Sequence, residues 1–143
     1  MAHKRFNTNE MIQRRRPSLF LSPQWCIMYK RKYETTDHLF LHCPMAWWLW
    51  HRLFSIGGES WVFPDCVSRM FLINFWGLGR RKKVGVIWRC AFLAVFWVLW
   101  IERNSRFFYK REPSLVELWD KVYFWVLFGL ILLRSLGIFL CLC

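Results

Sequence analysis

From Val84 to Cys143 the sequence is almost continuously apolar, and only the charged stretch Glu102–Glu112 divides it. That pattern constrains the fold more than any other feature of the chain. Two greasy segments of this length must each bury a face against protein or lipid, because burial of apolar surface dominates the energetics of folding. The whole chain shares the bias: 56% of its residues are apolar and 20% aromatic, with 11 Trp and 14 Phe. Ordinary soluble domains are roughly 45–50% apolar, so with this composition intrinsic disorder is expected at the ends alone. A length of 143 residues is one domain's worth of sequence, enough to enclose a core.

Charge narrows the partners. Lys and Arg number 21 against 9 Asp and Glu, a net +12, so a polyanion or an anionic membrane surface is the expected complement. The acids are dispersed, with Glu117 and Asp120 sharing a helical face by spacing. Two-metal polymerases and nucleases need clustered carboxylates. The sequence also contains no Gly-rich phosphate loop, no G-x-S-x-G and no H-E-x-x-H. It reads as a chain without catalysis of its own. The first twenty residues carry no apolar core of a signal peptide. The six cysteines are unevenly spaced, which argues against a disulfide framework.

Helix signals outweigh strand signals. Asn7–Asn9 can cap a short helix from Glu10 to Arg16 that Pro17 stops, and Ser22-Pro23 marks a loop. Pro44 suits the first turn of a helix over Met45–Phe54 that ends at Gly57-Gly58. A further helix follows Pro64-Asp65, with Val67, Met70, Phe71 and Phe75 on one face. Gly77–Lys83 reads as a basic loop, Val84 to Phe108 as a long helix, and Ser114-Leu-Val-Glu117 as the capping box of a last helix from Leu115. The expected class is mostly α: a small helical domain with a Cys/His knuckle loop, over residues 1–55, followed by long apolar helices over 56–143.

The chemistry concentrates in Trp25–Pro44. Cys26, His38 and Cys43 lie around a polar, turn-prone segment, and thiolate and imidazole are zinc's preferred ligands. A structural site wants four. A C-x2-C knuckle would place its second cysteine at position 29, where this chain has Tyr29, a poor substitute for a thiolate. His42 is an alternative donor, although neighbours such as His42 and Cys43 seldom point at one ion.

Cys26, Glu34, His38-Leu39-Phe40, Cys43-Pro44 and the Trp-rich Trp47–Trp50 together resemble the zinc-binding domain that follows the reverse transcriptase of LINE-type (non-LTR) retrotransposons, especially those of plants. His3–Glu10 and Arg14–Pro17 resemble that family's entry helix and basic follow-on, and Phe96–Asn104 with Arg106–Phe108 resembles its W-x-x-W-x-E-R-N segment. The resemblance spans Ala2 to Trp125. It implies a nucleic-acid-associated module of a retrotransposon polyprotein, nuclear or cytoplasmic, with Cys26, His38 and Cys43 as metal ligands. Two departures, Tyr29 and a start within the first family helix, imply a truncated, degenerate copy whose zinc binding is weakened or lost.

Arg14, Arg15 and Arg16, then Lys30, Arg31 and Lys32, flank Cys26 and are the candidate nucleic-acid contacts, nonspecific and made to phosphates. Arg80–Lys83 is a third basic cluster. Trp25 and Tyr33 can stack on bases, but in a small domain they are read first as core. Trp47, Trp48 and Trp50 are read as a core or partner-facing stripe, Cys66 and Cys90 as buried small hydrophobes, and Glu102-Arg103-Asn104 as a charged helix exit. The alternative function is a small helical membrane protein with spans over 84–101 and 122–143. The second span carries Arg134 as its single charge and fourteen Val, Leu, Ile or Phe. At about −0.3 to −0.6 kcal/mol each, these outweigh an arginine's roughly +2.5 to +3.5 kcal/mol.

Overall fold

A computed structural model of the chain describes residues 25–58, 62–76, 82–109 and 111–137. The expected helix over Glu10–Arg16, the Ser22-Pro23 loop and the Arg14–Arg16 cluster lie outside them. The described residues open with a single antiparallel bridge between Trp25 and Tyr33. A short π-helical turn, His38–His42, leads directly into α1, Pro44–Gly57. Three more helices follow: α2, Val67–Trp76; α3, Lys82–Tyr109; and α4, Leu115–Ser135. The mostly α class is therefore observed, with the Cys/His loop ahead of the long apolar helices.

The helix boundaries have local causes. Pro44 occupies the first turn of α1, where its missing N–H costs nothing. Gly58 ends the helix with φ 68°, a left-handed conformation that glycine adopts without the Cβ penalty. At α4 the Ser114 hydroxyl accepts from the Glu117 N–H at 3.2 Å, one half of the capping box. The cap of α2 comes from far away: Asp37 Oδ1 accepts from the Val67 N–H at 2.8 Å.

One apolar core joins these pieces across residue 55. Trp50 is its centre, fully buried, with Phe92 and Phe96 of α3 at ring-centroid distances of 5.1 and 5.4 Å. Its indole N–H is satisfied by the Phe40 carbonyl at 2.7 Å, so the π-helical turn is pinned to α1 from within. Phe40 in turn packs on Phe96 at 5.0 Å. Val67, Met70 and the half-buried Phe71 put α2 on the same core, as the spacing predicted for these three, while the Phe75 side chain lies outside the description. The Trp-rich stripe divides: Trp50, Leu49 and Leu53 are buried, whereas Trp47 is exposed. Cys66 and Cys90 are only half-buried, less than expected. Gly57 lets α1 meet α3 closely, because a Cβ there would run into the Trp88 ring.

Among the described residues, one helical stretch, Val84–Tyr109, is long and apolar enough to cross a membrane. Its Ala91, Phe92, Val95, Phe96, Val98 and Leu99 form the core. In α4 only Leu118 and Val122 are buried, while Phe124, Leu127, Phe128, Ile131 and Leu132 are exposed.

Candidate metal centre

Three residues of zinc-binding type converge beside the core. The donor atoms of Cys26, His38 and Cys43 lie within 4.8 Å of one another, and all three residues are buried. Two local devices deliver them. Cys26 follows the Trp25–Tyr33 bridge, where alternation along an extended segment turns Trp25 outward and Cys26 inward. The chain then folds back tightly: the Tyr29 and Lys30 N–H groups both donate to the Cys26 carbonyl, at 3.2 and 2.6 Å. Lys30 sits in the left-handed region with φ 62°.

His38 and Cys43 are brought together by the π-helical turn. Five residues along an α-helix rotate by about 500°, leaving the two ends roughly 140° apart. Here the Cys43 N–H donates to the His38 carbonyl at 2.6 Å, a wider i→i+5 closure that returns both residues to one side. Cys43 is also the N-cap of α1.

The site favours a thiolate at Cys43. Its pKa is lowered to about 7 by the hydrogen bond it accepts from Cys26, by the Met45 and Ala46 N–H groups at the start of α1 and by the Arg106 charge, against the opposing effect of burial. The Cys26 thiol, as the donor to Cys43 and buried besides, is pushed well above the ordinary range, with His38 pulling the other way. The His38 Nε2 atom is buried without a hydrogen-bond partner. A buried imidazole nitrogen with an unused position beside two sulfurs, one already favouring the anion, fits a soft-to-borderline divalent metal. Cys26, His38 and Cys43 would hold it, and bound zinc would supply a cross-link between the knuckle loop and α1.

His42 is not a fourth donor. It is exposed, and its Nε2 lies 3.1 Å from the Asp65 carbonyl. With Asp37 on Val67, it fastens the π-helical turn to the start of α2.

Around the donors lies a set of buried charges whose role the sequence reading missed. Arg103 donates from Nε and Nη2 to Glu34 Oε1, at 3.2 and 2.9 Å. Arg106 donates from Nε to Glu102 Oε1 at 2.8 Å and from Nη1 to the Met28 carbonyl at 3.3 Å. Lys121 of α4 reaches the other Glu102 oxygen at 3.3 Å. Glu34, Glu102, Arg103 and Arg106 are all buried. Glu102-Arg103-Asn104 is thus no charged helix exit. Arg103 and Arg106 are the clamp by which α3 holds the knuckle loop, with Glu102 fixing Arg106 in place, and the signal for it was a Glu-Arg pair standing directly after the apolar Trp97–Ile101. At the rim, Lys30 pairs with Glu112 at 2.6 Å, while Arg31 and Lys32 are exposed. Trp25 and Tyr33 are exposed as well, 44% and 64%, which corrects their reading as core.

The geometry defines a three-donor knuckle site built on a helical core. Residues 1–50 match the family described as zinc-binding in reverse transcriptase. All three donors fall inside that match, whereas the clamp residues of α3 lie beyond it. No curated protein and no solved structure matches the chain.

Proposed function

We propose that the chain is a non-catalytic, nucleic-acid-associated module descended from the reverse transcriptase polyprotein of a plant LINE-type retrotransposon, with a degenerate zinc knuckle. The observation that carries this reading is the buried Cys26, His38 and Cys43 cluster inside the residues that match the zinc-binding family. The knuckle loop presents Lys30, Arg31 and Lys32 outward, and Arg14, Arg15 and Arg16 precede it in sequence. Contacts from such residues neutralise phosphates and read no bases.

The test has two arms on the full chain. Cobalt(II) should give a thiolate charge-transfer band that Cys43→Ala abolishes. Binding of labelled nucleic acid should fall steeply with salt, and replacing Arg14, Arg15 and Arg16 by Ala should weaken all sequences alike, each lost contact lowering the log–log slope by roughly 0.7–0.9. Absence of the cobalt band together with salt-independent binding overturns the proposal.

A further inference from the structure

We infer that Trp25 and Tyr33 form a stacking platform for the bases of a single-stranded nucleic acid, with Arg31 and Lys32 holding the adjoining phosphates. The inference rests on the nucleic-acid reading above and names the surface that carries it.

The backbone arrangement that builds the metal site also builds the platform. Trp25 and Tyr33 are bridged partners on antiparallel segments, and the Cys26 N–H donates to the Lys32 carbonyl at 2.6 Å. Successive side chains on such segments alternate between faces. One face therefore sends Cys26 and Glu34 into the core, and the other sends Trp25 and Tyr33 to solvent. Cross-strand aromatic pairs of this kind lie side by side. Here the rings are nearly parallel, with an interplanar angle of 9° and centroids 5.6 Å apart, an offset stack.

Two features distinguish this pair from ordinary exposed aromatics. First, it is held rigidly, by the bridge on one side and by the buried Glu34–Arg103 ion pair immediately after Tyr33, so little is lost in ordering it on binding. Second, its flank is cationic. Lys30 is engaged with Glu112 and the Arg31 guanidinium lies over the Tyr29 ring at 5.8 Å, yet Arg31 and Lys32 both remain exposed next to Tyr33 in the chain, and the chain as a whole carries +12. Aromatic faces beside cations are the recurring chemistry of single-strand binding. The π-face accepts any base, the cations follow the backbone, and duplexes, whose bases are already stacked, gain nothing from the rings.

The experiment compares a labelled oligothymidylate, an oligouridylate and an abasic strand of the same length and charge, by fluorescence anisotropy with the full chain at fixed salt. The platform predicts that the base-bearing strands bind more tightly than the abasic one. Trp25→Ala and Tyr33→Ala should each weaken them by roughly 5- to 100-fold while leaving abasic binding within about twofold. Trp25→Phe and Tyr33→Phe should restore most of the loss. Equal affinity for base-bearing and abasic strands, unchanged in the alanine variants, overturns the platform and leaves phosphate binding standing. Equal loss on all strands assigns the residues to folding and overturns it too. If the wild-type chain binds none of the strands, both the platform and the nucleic-acid reading fall.

Discussion

Arg103 places two of its N–H groups on a single oxygen of Glu34, a residue 69 positions earlier in the chain. Both side chains are sealed from water, at 6% and 0% exposure, and the guanidinium also lies over the Trp100 and Phe107 rings. Desolvation makes such a pair expensive to assemble, yet losing one partner leaves a bare charge in the core. Arg103→Met should therefore lower unfolding stability by about 3–5 kcal/mol, and adding Glu34→Leu should recover most of that loss. Urea denaturation of the two variants checks both statements. A single substitution costing less than about 1 kcal/mol would mean that the pair is solvated in solution.

Tyr29 stands in the turn where a second thiolate would complete the knuckle. Tyr29→Cys should tighten cobalt and zinc binding by more than about tenfold, since a complete structural zinc site supplies roughly 10–16 kcal/mol. The cobalt spectrum should also shift toward a three-thiolate tetrahedral form. Competition with a chromophoric chelator measures the change. Identical affinities for the two proteins would show that a fourth donor already completes the site.

The thiol pair makes the metal-free, reduced protein pH-dependent in a definite order. Cys43 in the fold is lowered to about 7 from an ordinary 9.0, so its contribution is fully present above the unfolded value and is lost as pH falls through about 7. Cys26 is raised, so above 9.0 the unfolded chain ionises a thiol that the folded chain keeps protonated, and stability falls again. Denaturation in chelator across pH 6 to 10 should pass through a maximum between the two limits. Cys43→Ala should remove the rising limb.

Gly57 is fixed by its neighbour. Because a Cβ would meet the Trp88 ring, Gly57→Ala should destabilise by about 1–3 kcal/mol, the usual cost of overpacking, despite alanine's better helix propensity. Trp88→Leu in the same background should relieve the clash, and a thermal melt of the two variants reads out the difference.

The apolar stretch of α3 bears on the membrane alternative. Its inner face is the protein core, and its end carries the buried Glu102, Arg103 and Arg106. Insertion would have to dismantle the Glu34 clamp. Alkaline carbonate should therefore release the full chain from microsomes. Resistance that disappears on deleting Val122–Cys143 would establish the membrane protein instead.

What the sequence made legible was local. Pro44, Gly58 and Ser114 act on their own turns, and each marked a helix end that the structure shows. The Cys26, His38 and Cys43 trio was legible through residue type and spacing. What was hidden depends on pairing across distance. Nothing local to Glu34 indicates Arg103, and a Glu-Arg-Asn run at the end of an apolar helix has the same composition whether it meets water or a buried carboxylate. The outward face of Trp25 and Tyr33 was hidden for the same reason. Their exposure follows from the register of a bridge, and a one-residue slip would have buried them. His42 was an open alternative only because the reach of Asp65's carbonyl cannot be read from the order of residues.

The span between Glu34 and Arg103 sets a clock on biosynthesis. A ribosome adding about 5–20 residues per second needs roughly 3–14 s to travel the 69 positions that separate them. Throughout that interval the knuckle loop exists without the helix that clamps it, and the core that buries its thiols is incomplete. The burial of Cys26 and Cys43 is therefore complete only after α3 has been made, because the clamp that closes over their loop is carried near its end.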